Sequence, residues 1–268
     1  MGLFDVHAHL TDPRLAAIEG EVLARAQAAG ITTIVSNGLN PGDNQAVAEL
    51  AARSPLVRPA FGLYPVDAVL PELLALGIPY EHRGLEPVAA EVAVAWLRQH
   101  LPDAVALGEI GLDRHWVPEP LWERQEAVFR DLIRLGLALD KPIILHSRRA
   151  EARALQILQE EGARRVDWHC FSSKIKLGRR IAEHGHWLSI PANAARIDGF
   201  RRLLEILPRD KILLETDCPY LSPVRGELNE PASVARTVSL AASLWGCGEG
   251  AAVDQLEENF EALFGFAP

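Results

Sequence analysis

Cysteine is scarce in this chain: Cys170, Cys218 and Cys247 are the only three in 268 residues, and none forms a CxxC pair. So few and so scattered, they exclude a disulfide framework and fit a reducing compartment. No apolar run reaches about 20 residues, the length of a membrane span. The opening MGLFDVHAHL lacks the charged and apolar regions of a signal peptide. The expectation is a cytoplasmic protein without membrane association. Positive charge is also in deficit, with 27 Lys and Arg against 36 Asp and Glu and a net charge of -9. Such a balance argues against a general polyanion-binding surface. It leaves a nucleic-acid substrate open wherever divalent ions reverse the local potential. Neither GxGxxG nor GxxxxGK[ST] occurs, so the two common glycine-rich phosphate cradles are missing. There is no low-complexity tract and no linker, and nothing points to an obligate protein partner.

About half of the chain is apolar, enough for a substantial core at the usual size of one barrel domain. The expectation is a single domain over residues 1–268. Short β-rich runs alternate with longer helical patterns: Leu3–Val6, Ile31–Ser36, Val57–Gly62, Val105–Glu109, Pro142–His146, Val166–His169, His186–Ile190 and Ile212–Thr216. Helical stretches fall at Arg14–Ala29, Asn44–Arg53, Val88–Gln99, Trp122–Leu139, Glu151–Glu161, Lys176–His184, Phe200–Leu207, Ala232–Trp245 and Gly250–Leu263. Asp43 and Asp198 are expected N-caps, and Gly30, Gly162 and Gly185 expected helix stops. Eight strand-and-helix units predict an α/β fold, a (β/α)₈ TIM-type barrel with its site at the C-terminal face of the strands. The stretch from about Pro65 to Glu86 reads as an irregular insertion at the barrel rim.

Polar residues stand where these strands end. Asp5, His7 and His9 close the first, Glu109 the fourth, His146 the fifth, His169 the sixth and Asp217 the eighth. Side chains alternate along a strand, so His7 and His9 share a side and Asp5 lies one layer deeper. In a barrel these ends converge on one mouth. Each residue alone has an ordinary alternative, as a structural histidine, a helix cap or an ion-pair member. One strand-helix unit separates His146 from His169 and two separate His169 from Asp217, which fits convergence. Four histidines and two carboxylates make a metal inventory: one or two divalent ions, with imidazole suiting Zn, Mn or Ni and carboxylate Mg or Mn. Such an ion acidifies its water, and Asp217, within reach, can accept the proton.

This pattern resembles the amidohydrolase superfamily, and DVHAHL, GEIGLD, KPIILHSRRA, HCFSS, ETDCPYLSP and RGELNEP resemble the TatD family of metal-dependent deoxyribonucleases. The resemblance implies a binuclear site: His7, His9 and Asp217 on one ion, His146 and His169 on the other, Glu109 bridging, and Asp217 and Glu109 in the catalytic roles. It also implies hydrolysis of phosphodiester bonds in DNA or an oligonucleotide. The alternative is a small-molecule esterase, lactonase or amidase on the same metal site, because the same nucleophile attacks a carbonyl. A non-catalytic metal-binding protein is a third class, but it predicts a missing ligand and all six are present.

Glu215 shares a strand face with Asp217 and either orients a ligand or belongs to a buried ion pair. Arg148, Arg149, Arg225 and Asn229 fall in loops after barrel strands and are candidate phosphate contacts. His82, His100, His184 and His186 are read as structural or exposed, and Cys170 and Cys218 as packing residues. The chain departs from the family in three places. Gly62-Leu63-Tyr64-Pro65 stands where relatives often have GxHP, so Tyr64 takes the place of a histidine beside the substrate. HCFSSKIKLG and SIPANAAR also differ from the usual forms.

Overall fold

The computed structural model describes residues 2–80 and 86–268, so residues 81–85 of the expected insertion, His82 among them, lie outside the described residues. Eight strands, β1 (Leu3–Ala8), β2 (Ile31–Asn37), β3 (Val57–Phe61), β4 (Ala106–Asp113), β5 (Ile143–Arg148), β6 (Val166–Trp168), β7 (Trp187–Pro191) and β8 (Ile212–Glu215), pair in sequence order, every neighbour parallel. The sheet curls until its ends meet. Ala8 bridges Cys218 in parallel, the His9 amide donates to the Cys218 carbonyl at 2.8 Å, and the Asp217 amide donates to His7 O at 2.8 Å. These contacts tie the end of β1 to the segment after β8. The expected (β/α)₈ barrel is the observed one.

Helices α1 (Pro13–Ala16), α2 (Glu19–Ala28), α3 (Pro41–Arg53), α4 (Leu70–Ala75), α5 (Ala90–His100), α6 (Trp122–Ala138), α7 (Glu151–Glu160), α8 (Ile175–Glu183), α9 (Asp198–Ile206), α10 (Val234–Trp245) and α11 (Glu249–Phe264) surround the strands. None of the described helices is long and apolar enough to cross a membrane. Gly30, Gly162 and Gly185 follow helices at φ of 83°, 75° and 87°, in the left-handed conformation expected of helix stops.

Several boundaries differ from the sequence reading. The helix expected over Arg14–Ala29 is two, because Asp12 caps a separate first turn with Pro13 at its start, and Ile18 leaves helical geometry. Asp43 is not the N-cap of α3. Asn40 is, accepting from the Asp43 amide at 3.1 Å, because Pro41 begins the helix. Asp198 is the first residue of α9 and makes no side-chain cap bond. The stretch after Pro65 is not wholly irregular. Val66, Val69, Leu70 and Leu73 repeat at helical spacing, form α4 and the turn before it, and bury themselves with Val117 in a satellite core against which Tyr64, Ile78, Tyr80, Leu121 and Trp122 pack. This core fixes one wall of the barrel mouth.

Outside the site, His186 is buried at the start of β7. Its Nδ1 accepts from Trp168 Nε1 at 3.1 Å and its Nε2 meets the Ala163 carbonyl at 3.2 Å, so the neutral ring satisfies both contacts. Burial pushes its pKa down to about 4. The unfolded chain, with an ordinary histidine near 6.5, therefore binds more protons between those values. The stabilisation is complete above about pH 6.5 and is lost as pH falls towards 4, by about 3 kcal/mol. Urea denaturation at pH 7 and pH 4.5 should show this loss in the wild type and a smaller one in His186→Gln. Equal acid sensitivity in both would contradict it.

Candidate metal centre

Period-two alternation carries Asp5, His7 and His9 to one side of β1, and His7 and His9 bring their Nε2 atoms to 3.2 Å. Glu109 enters from β4 between them and the opposite strands. Its Oε2 lies 3.4 Å from His7 Nε2 and 3.5 Å from His9 Nε2, while Oε1 lies 2.8 Å from His146 Nδ1 and 3.9 Å from His169 Nε2. Asp217 Oδ1 stands 3.4 Å from His9 Nε2 and 3.8 Å from His7 Nε2. All six residues that the sequence singled out thus meet at one end of the barrel.

Each outer nitrogen matters because it decides which nitrogen faces the cluster. His9 turns Nδ1 to the Asn37 carbonyl at 3.2 Å, and His169 turns Nδ1 to Glu215 Oε2 at 3.0 Å. His146 is reversed, with Nε2 held 3.0 Å from Asp113 Oδ2 and Nδ1 towards Glu109. Glu215 is itself fixed by the Ser189 hydroxyl and the Cys170 amide, at 2.6 and 2.9 Å. Ser189 also reaches Asp167 Oδ2 at 2.9 Å. Asp5 accepts from the Thr216 amide at 2.9 Å and from its hydroxyl, joining β1 to β8 beneath the site. The Glu215 bond to His169 fits both readings open for that carboxylate, since it orients the ring and forms a buried ion pair with it.

Two groups have ligand atoms all within 4.8 Å of one another: His7, His9 and Asp217, and Glu109, His146 and His169. A third, His7, His169 and Glu215, meets the same spacing, but His169 Nδ1 and both Glu215 oxygens already have hydrogen-bond partners. Imidazole and carboxylate donors gathered in two adjoining sets fit divalent transition ions.

The electrostatics follow from burial opposed by pairing. Burial pushes Glu109 up, but hydrogen bonds from His146 and His7 outweigh it and hold the carboxyl well below its ordinary range. Asp217 is likewise raised by burial and lowered further by His169, His9 and His7, ending below its ordinary value. Burial lowers His146, yet Asp113 and Glu109 raise it to about 8. His169 goes to about 10 through Glu215 and Asp217 against the same burial. His7 is lowered by burial and by neighbouring His169, whose ring stacks on it at 3.7 Å. Deeper, burial raises Asp5 and Asp167 to about 8. It also pushes the Cys170 and Cys218 thiols well up, which suits packing residues rather than nucleophiles.

Backbone geometry is unusual at the same rim. Arg149, Cys170 and Asp217, just beyond β5, β6 and β8, have φ of 57°, 47° and 54°, and such conformations gather at functional sites. Gly62 passes so close to β4 that a Cβ there would lie 2.3 Å from the Glu109 amide nitrogen.

A cavity of about 930 Å³ opens over the cluster, lined among others by His9, Glu109, His146, His169, Asp217, Tyr64 and Arg148. Tyr64 packs edge-on against His146 with ring centroids 4.9 Å apart. Asn229 and Arg225 do not line it. Asn229 is fully buried and its amide donates to the Thr216 carbonyl at 2.7 Å, bracing the loop after β8. Arg225 and Arg149 are exposed beyond the cavity lining. The sequence reading missed Asp113, Asp12 and Arg14, and the rings of Trp116 and Tyr220 that line the same cavity or hold its residues. For Asp113 the signal was present, since it shares the alternating face of β4 with Glu109.

A parallel eight-stranded barrel with adjoining imidazole and carboxylate sets at its C-terminal mouth defines the class of metal-dependent hydrolases. Within it, the model of the TatD related DNase family matches residues 4–265, and the chain belongs to that family. It is similar to the uncharacterized metal-dependent hydrolase YabD of Bacillus subtilis, 32% identical over 90% of this chain and 91% of that one. It is also similar to the human deoxyribonuclease TATDN3, 28% identical over 98% and 95%. Among solved structures, the TatD homologue YjjV of Escherichia coli K12 superposes with a TM-score of 0.84 at 26% identity, covering 98% of both chains.

Proposed function

We propose that the protein is a deoxyribonuclease, a phosphodiesterase that hydrolyses DNA or short oligonucleotides in the cytoplasm, with residues 1–268 acting as one domain. The observation that carries this is the pair of adjoining donor sets with Glu109 between them. His7, His9 and Asp217 would hold one divalent ion, His146 and His169 the other, and Glu109 would bridge; the imidazoles favour Zn, Mn or Ni, and the carboxylates alone would also suit Mg. When bound, two such ions supply an acidified water and positive charge opposite the attacking and leaving oxygens of a phosphodiester.

The chain's own groups do the rest. Asp217 has a side chain 14% exposed against 3% for Glu109, so it is the carboxylate that solvent reaches, and it takes the proton of the attacking water. Water oxygen bonds to phosphorus as the ester P–O bond breaks, and the proton held by Asp217 passes to the departing oxygen, which leaves as an alcohol. Asn37, Asp113 and Glu215 hold three imidazoles in orientation, so the donors need no rearrangement during the reaction. Arg148 lines the cavity near the Trp116 ring and can donate to a phosphate oxygen. Tyr64, packed edge-on against His146 in the same cavity, is a second substrate contact.

Asp12, Asp43 and Asp67 on the cavity wall favour the second reading, a small uncharged ester, lactone or amide. The two separate on one plate. Metal-loaded protein is expected to release nucleotides from a single-stranded oligonucleotide, chelator to stop it, and an ester and lactone panel to give far lower rates. Absence of metal-stimulated nucleotide release overturns the deoxyribonuclease reading.

A further inference from the structure

Two large aromatic side chains are exposed among the described residues, Trp116 at 48% and Tyr220 at 42%, and both line the cavity over the metal centre. Trp116 follows β4 and Tyr220 follows β8. These strands are four apart in a ring of eight, so the two rings rise from opposite sides of the mouth. Each stands by a different donor set. Tyr220 packs edge-on to His9 at 6.3 Å, and Trp116 sits in the loop held by Asp113, the partner of His146. Each is also backed by a guanidinium, Arg14 at 4.7 Å from the Tyr220 ring centre and Arg148 at 5.8 Å from that of Trp116.

Neither ring is a loose surface residue. Asp113 Oδ1 accepts from the His115 and Trp116 amides at 2.7 and 2.8 Å, and the following Val117 is buried in the satellite core. On the far wall the Tyr220 amide donates to the Asp217 carbonyl at 2.9 Å, and Asp12 holds the Arg14 guanidinium through two bonds of 2.9 Å. Exposed aromatic area is unfavourable in water, and held rigid beside a guanidinium it matches the flat face of a nucleobase.

We infer that Trp116 and Tyr220 are specificity-determining residues that stack the bases on either side of the scissile phosphate. This rests on the phosphodiesterase reading. It makes the enzyme select unpaired bases, because a base in a duplex offers no free face. It also explains how an acidic protein engages a polyanion: stacking supplies contact that needs no basic surface.

The test compares a single-stranded oligonucleotide with its abasic counterpart of the same length, for wild type, Trp116→Ala, Trp116→Phe and Tyr220→Ala. Bis(p-nitrophenyl) phosphate serves as a diester without bases. For each alanine variant, the ratio of kcat/KM on the full over the abasic strand should fall by about tenfold or more, chiefly through KM, and Trp116→Phe should restore most of it. An equal loss on both strands overturns the stacking role while leaving the phosphodiesterase reading intact. Failure of the wild type to cleave any of the three diesters overturns both.

Discussion

Asp217→Asn should lower kcat for phosphodiester cleavage by about 10²–10⁴-fold with the barrel still folded. Asparagine is the informative replacement because Asp217 sits at φ 54°, a left-handed conformation that asparagine tolerates and alanine resists. It keeps an oxygen towards His9 and His7 but cannot accept a proton. Loss of base function is thereby separated from loss of shape. The Asp217 amide bond to His7 O and the barrel closure beside it use backbone atoms only, so they survive the change. A thermal midpoint within a few degrees of wild type, together with the collapse in kcat, is the expected pair of readings. Unchanged kcat would remove Asp217 from the role of base.

The barrel and the six central residues were legible because both rest on strong local rules. Strand alternation puts His7 beside His9, and a parallel barrel brings strand ends to one mouth whatever the helices do between them. The failures cluster where a local signal was overridden. The strand expected over Val105–Glu109 runs on to Asp113, carried through Gly111 at φ 148°. A side chain there could not fit, since its Cβ would lie 1.9 Å from the His146 carbonyl oxygen. That closeness is what brings Asp113 within reach of His146.

Asn229 failed for a different reason. A polar residue in a loop after a barrel strand is a fair guess for a ligand contact, but Asn229 answers the loop's own backbone, taking up the Thr216 carbonyl beneath the site. For Trp116 and Tyr220 the sequence carries no signal, since a lone aromatic is most often at least partly buried. Only the fold tells that these two stay exposed and line one cavity from the loops after β4 and β8. Residues at the strand ends were legible, whereas the two rings carried by the loops after β4 and β8 were not.

Glu109→Ala carries the second large effect, on metal content. Glu109 is the carboxylate that touches both donor sets, with Oε2 at 3.4 and 3.5 Å from His7 and His9 and Oε1 at 2.8 and 3.9 Å from His146 and His169. Without it, His146 and His169 keep only each other at one set, while His7, His9 and Asp217 still form the other. If two ions bind as proposed, bound metal after dialysis should therefore drop from two equivalents to one or fewer, with at least one affinity reduced by about 100-fold or more. The metal-free protein should respond as well. Glu109 is a main cause of the raised pKa of His146 and one of the causes for His169, so both imidazoles should titrate at lower pH in the variant. Histidine NMR titration of the metal-free proteins reads this directly, independently of turnover. Two full equivalents of metal in the variant would exclude bridging, and unmoved His146 and His169 titrations would place the Glu109 carboxylate elsewhere than between them.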